Sequence, residues 1–92
     1  DGIFVLILTV DRQNGKLLTS PDIISRGFIY MREREDLVNE ARQEIRRIFA
    51  RHNERYPLQW DYAKRMIREQ IGEFLFEKTQ RRPMVIPVVI EV

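Results

Sequence analysis

The 92-residue chain contains no cysteine, which excludes a disulfide framework and a thiolate metal site and fits a reducing compartment. A single histidine, His52, sits near the end of a polar, helix-like stretch with no partner at metal-ligand spacing, so it reads as a solvated side chain. Gly2, Gly15, Gly27 and Gly72 stand apart from one another, so there is neither a glycine-rich phosphate loop nor a GXXG nucleic-acid clamp. No apolar run is long enough to cross a membrane as a helix. The first of them also lacks the basic leader and small-residue cleavage site of a signal peptide. Internal repeats and low-complexity segments are missing too. What is left is a soluble domain, expected in the cytoplasm, with no membrane partner. The chain opens on Asp1 and enters an apolar strand at once, so it is expected to be a piece of a longer protein.

Chemistry is equally sparse. Ser20 and Ser25 have no base nearby in sequence and fit turn roles. Glu73 and Glu77 lie on an exposed helical face and read as solvated charge. The residues therefore predict a domain that is not itself an enzyme, with no catalytic residue, metal ligand or cofactor.

What the chain does have is two oily runs near its ends. Ile3 to Val10 carries no charge and is rich in β-branched residues, and Met84 to Ile90 has the same two-faced character. A strand with one wet face alternates apolar and polar residues, and neither run does, so both read as strands buried on both faces. Asn14-Gly15 after the first run is a hairpin signal, since a type I′ turn needs positive φ at both positions. Lys16 to Ser20 should return antiparallel, and Pro21 and Asp22 should end or bend that return. Ile23 to Tyr30 is then either a short extra strand or an ordered loop.

Two helices follow. Glu33, Glu35 and Asp36 favour the positive end of the first, and Leu37, Val38, Ala41, Ile45, Ile48 and Phe49 form its apolar stripe. A break over Asn53 to Pro57 leads to a second helix from about Leu58 to Thr79, striped by Trp60, Ala63, Ile67, Ile71, Phe74 and Leu75. Gly72 within it costs about 1 kcal/mol relative to Ala, which predicts close packing of a neighbouring backbone. Pro83 prevents the helix from continuing. The whole is one α+β domain over 1–92 in β-β-α-α-β order: a small mixed sheet of three to four strands with two antiparallel helices on one face. The first strand is central, and the last runs parallel to it at an edge, where Pro87 is tolerated.

Two helices on one side leave the other side of the sheet bare. Assigning the bulkier set of each strand to the helices puts Ile3, Val5 and Ile7 on the bare face, with Val85 and Val89. Burying one such side chain is worth about 1.5–3 kcal/mol, so leaving five wet forgoes about 5 kcal/mol or more. A patch of this kind marks a contact surface, covered by a second copy or by the rest of the protein. The competing expectation is that the loop from Pro21 to Met31 folds over it.

Net charge is +2, and the basic residues are mostly arginine. Arginine can mean phosphate recognition, surface ion pairing or codon bias. Arg26-Gly27-Phe28-Ile29-Tyr30 partly resembles the aromatic sheet motif of RNA-recognition modules, but it departs at Ile29 and the element order is wrong for that fold. Core packing of Phe28 and Tyr30 is the better reading. Lys78, Arg81 and Arg82, with Arg26, could still offer phosphates a modest patch.

Phe74 to Pro87, with Ile24 to Tyr30 and the opening Asp1-Gly2-Ile3, resembles the C-terminal domain of the ribonuclease J family of bacterial RNA-processing nucleases. The stretch from Glu33 to Tyr56 matches in helical character alone. The resemblance implies a sheet backed by two helices and tethered to a metallo-β-lactamase and β-CASP core. That parent would be a zinc-dependent 5′-to-3′ exonuclease and endonuclease, with RNA as substrate, acting in messenger decay and ribosomal RNA maturation. No position here matches the family's His-x-His-x-Asp-His zinc motif, so no catalytic or metal residue carries over. The resemblance also implies a part in subunit assembly, with a second copy or the parent's catalytic core as partner. An RNA-contacting accessory module is the alternative.

Overall fold

β1 (Ile3–Val10) is the middle strand of a three-stranded sheet in the computed structural model, which describes residues 2–28, 31–51 and 59–92, with 31–34 as backbone alone. β2 (Asp22–Arg26) pairs with it antiparallel on one side, and β3 (Met84–Glu91) pairs parallel on the other. α1 (Met31–Arg51) and α2 (Trp60–Thr79) lie between β2 and β3 in the chain. The β-β-α-α-β order and the α+β class are those read from the sequence, with three strands rather than four.

The core follows from two periodicities. Every second residue of β1 points to the helices, and Phe4, Leu6, Leu8 and Val10 are fully buried there. At three- and four-residue spacing α1 supplies Leu37, Ala41, Ile45 and Ile48, and α2 supplies Ala63, Ile67, Ile71 and Leu75. Phe28 closes one end, edge-on to Phe4 with ring centroids 6.1 Å apart. Arg42 Nε donates to the Pro21 carbonyl at 3.0 Å and ties α1 to the start of β2.

α2 ends where its sequence says it must. Gln80 takes a left-handed conformation and donates its N–H to the Phe76 carbonyl at 2.7 Å. Thr79 Oγ1 donates to the Leu75 carbonyl at 2.7 Å, and Pro83 lies three residues beyond the cap. Gly2 has φ +91°, and a Cβ there would lie 2.6 Å from the Arg26 carbonyl oxygen. Its own carbonyl accepts the Met84 N–H at 2.8 Å, so Gly2 joins all three strands at one end of the sheet.

Several expectations change. The hairpin partner of β1 is β2, and the pairing of 16–20 shrinks to a bridge between Val10 and Leu17 with a Leu18 N–H bond to Thr9. Pro21 has no N–H to extend that ladder, and regular pairing starts again at Asp22. The turn is not type I′, because Gly15 and not Asn14 has positive φ. Asp11 organises it instead: its Oδ1 accepts the Gln13 N–H at 2.7 Å and its carbonyl accepts the Gly15 N–H at 2.8 Å. Ser25 is not a turn residue but sits on β2 opposite Phe4, buried, with no partner for its hydroxyl among the described residues. Gly72 has nothing within 4 Å of its would-be Cβ, so no backbone packs against it. His52, the break at Asn53 to Pro57, Leu58, Ile29 and Tyr30 lie outside the described residues.

Candidate functional site

The sheet has one face under the helices and one without cover from any described element. Register decides which residues lie on each, because directly paired residues point the same way. Ile3 pairs with Arg26 and Met84, Val5 with Ile24 and Ile86, Ile7 with Asp22 and Val88, and Thr9 with Ile90. These rows make up the open face. Leu18, beside Thr9, and Val92, at the end of the β3 ladder, extend it.

Its apolar content is large. Met84 is 64% exposed, Ile90 45%, Ile3 41%, Ile24 40%, Val88 38% and Ile86 36%, while Val5 and Ile7 are half-buried between them. Within the paired rows from Ile3 to Thr9, charge is confined to the two ends of β2, where Asp22 and Arg26 are both exposed; Asp11 and Lys16 stand in the next row, that of Val92. The described part of the segment from Pro21 to Met31, residues 21–28, does not fold over it: Pro21 and Phe28 are buried and Ile23 packs on the core, all on the helix side.

Ile3, Val5 and Ile7 therefore stand on the bare face as expected, and Val85 and Val89 do not. Val85 pairs with Phe4 and is 5% exposed, and Val89 pairs with Leu8 and packs on the core. The assignment of β3 by side-chain bulk is reversed. α2 packs on β3, and its Ile67, Ile71 and Leu75 already fill that space, so the slimmer Val85, Pro87 and Val89 fit beneath it. The bulkier Met84, Ile86, Val88 and Ile90 are turned outward.

The four candidate phosphate contacts are each engaged locally. Lys78 Nζ is 3.1 Å from Glu40 Oε2 and lies 5.8 Å from the Phe74 ring centroid. Arg81 NH1 donates to the Phe28 carbonyl at 3.3 Å. Arg82 stacks over Phe76 at 4.1 Å and lines a groove with Arg68, Gly72 and Met84 beside β3. Arg26 NH1 donates to the Ser25 carbonyl at 3.0 Å. Lys78 faces α1 and Arg82 faces the β3 groove, so these cations do not form a single basic face. Among the described residues no three His, Cys, Asp or Glu side chains come close enough to hold a metal ion. No helix is long and apolar enough to cross a membrane.

The family model for the ribonuclease J C-terminal domain matches residues 1–92. Ribonuclease J 2 of Staphylococcus aureus strain NCTC 8325 is 44% identical over 92 residues, covering all of this chain and 16% of that protein. Ribonuclease J 2 of strain N315 is likewise 44% identical, and that of Staphylococcus epidermidis strain ATCC 35984 is 42% identical over the same span. The chain thus spans about a sixth of the length of these curated relatives.

Proposed function

The chain belongs to the ribonuclease J C-terminal domain family, and from that premise we propose that it is a non-catalytic assembly module of a zinc-dependent bacterial ribonuclease. In this reading the catalytic metallo-β-lactamase and β-CASP domains, the zinc and the RNA substrate belong to the remainder of the protein. That enzyme is a cytoplasmic 5′-to-3′ exonuclease and endonuclease in messenger decay and ribosomal RNA maturation. The domain's task is to join subunits.

One observation carries this reading: a sheet face lined by Ile3, Val5, Ile7, Ile24, Met84, Ile86, Val88 and Ile90, uncovered by any described element. The surface that covers it is a second copy of the domain. A three-stranded face of this length measures about 14 by 26 Å, roughly half the area each partner contributes to a standard interface. Association through it alone is therefore weak, in the micromolar to millimolar range, and grows when other contacts hold the copies together.

Sedimentation equilibrium over about 10 μM to 1 mM, a range set by that small area, tests it. The wild-type chain should shift towards twice the monomer mass. Val5→Asp and Ile86→Asp should stay monomeric with unchanged far-ultraviolet circular dichroism. A wild-type chain that remains monomeric throughout, or variants that associate as well as wild type, would overturn the proposal. RNA contact has less support here, because Lys78, Arg81 and Arg82 serve local contacts on differing sides of α2.

A further inference from the structure

Asp22 and Arg26 occupy the two ends of the open face on β2, four residues and about 13 Å apart, in the rows of Ile7 and Ile3. They are the exposed charges of the rows from Ile3 to Thr9, of opposite sign, on one strand. β3 adds a second constraint. The Met84 and Val92 N–H groups point inward to Gly2 and Val10, so the alternate N–H positions, that of Pro87 among them, point out from the free edge. Pro87 has no N–H, so the middle of that edge cannot donate to an added strand. Edge-to-edge extension through β3 is blocked, while face-to-face packing is not.

Resting on the assembly reading above, we propose that two copies pack face to face about a two-fold axis that lies in the interface, perpendicular to the strands, over the row Ile24–Val5–Ile86. This operation reverses strand direction between the copies and sets β2 over β2. Asp22 of each copy then meets Arg26 of the other, giving two reciprocal ion pairs, and the Ile3–Met84 row packs on the Ile7–Val88 row. Moving the axis towards Thr9 by half the row spacing would set Arg26 over Leu18 and Asp22 over Ile24, and moving it by a full row would set Asp22 over Asp22. An axis along the strands would set both charges over apolar β3. The two charges therefore fix register and orientation, and the apolar rows provide the attraction.

The test is a charge swap on the 92-residue chain, with folding checked by circular dichroism. In D22R, arginine faces Arg26 at both symmetric positions, and in R26D, aspartate faces Asp22, so each variant alone should self-associate about tenfold more weakly than wild type. An equimolar mixture should recover association to within about threefold, because every cross-copy pair then has opposite sign. Singles that associate like wild type while Val5→Asp does not would overturn the two-fold register and leave the assembly reading standing. Weakened singles that stay weak when mixed would overturn it too. A wild-type chain that never associates removes the assembly reading, and this geometry with it.

Discussion

Gly72→Ala should make the chain more stable, by an amount that can be worked from the structure. The residue lies in the interior of α2, well away from the left-handed cap at Gln80. Glycine in a helix interior costs about 1 kcal/mol relative to alanine, through the backbone entropy lost on folding. The usual justification for that cost is a neighbour that leaves no room for a methyl group. Here a Cβ built on Gly72 meets nothing within 4 Å, so alanine adds no clash. The gain should therefore be nearly the whole propensity difference. Unfolding entropy near 2.1 cal/mol/K per residue converts about 1 kcal/mol into a Tm rise of about 5 °C for a chain of this size. In urea, with a slope of about 1 kcal/mol/M, the midpoint should rise by about 1 M. Both are measured at the lowest workable concentration and repeated at tenfold dilution, so that a contribution from self-association would show as a concentration dependence. A Tm that falls or does not move would refute the reasoning, since it would mean that the chain's own atoms approach Gly72 in solution.

Gly2→Ala should do the opposite. A Cβ at φ +91° would meet the Arg26 carbonyl at 2.6 Å and the Gly27 backbone at 2.7 Å, so one end of the sheet must shift, and thermal melts should show a loss of about 2 kcal/mol or more. The Lys78–Glu40 pair joins α2 to α1 at 3.1 Å with both side chains half exposed. A double-mutant cycle to alanine should give a coupling of only about 0.2–0.5 kcal/mol, vanishing in 1 M salt, and a value above 1 kcal/mol would contradict its exposure.

The helices and the central strand were legible because each rests on one strong periodic signal. Leu37, Ala41, Ile45 and Ile48, and Ala63, Ile67, Ile71 and Leu75, are buried as their spacing requires. β3 was legible as a strand and not in its facing, since both alternate sets are apolar and hydropathy cannot separate them. Bulk was the wrong discriminator, and Pro87 was the right one. An edge proline must turn its missing N–H outward. With L-residues, strand direction and the direction of the N–H together fix which face the side chain occupies. For a parallel edge strand reached by a right-handed crossover, an outward N–H puts the side chain on the helix side. That argument places Pro87, and so Val85 and Val89, under α2, where they lie. The β2 pairing was harder to read, because Ile23, Ile24 and Ser25 are too few to show a period and the Asn14-Gly15 signal pointed to the segment just before them.

The bare face follows from dimensions as much as from topology. A helix with its side chains is about 10 Å across, so two side by side span about 20 Å, more than the roughly 14 Å width of three strands. α1 and α2 together therefore close one side, and the described chain has no further element for the other. The residues on the two sides do different physical work. Phe4, Leu6 and Leu8 are fully buried within the monomer, so truncating any of them costs its transfer energy and leaves a cavity. Met84 at 64% exposure and Ile90 at 45% keep much of their contact with water, so the fold alone gains only part of their transfer energy. A monomer would lose only that part by carrying threonine or lysine at those positions, and an edge strand is normally blunted in that way. The two faces thus divide along the alternation of single strands, and the isoleucines of the open face would contribute the rest of their transfer energy only if a second surface took them out of water.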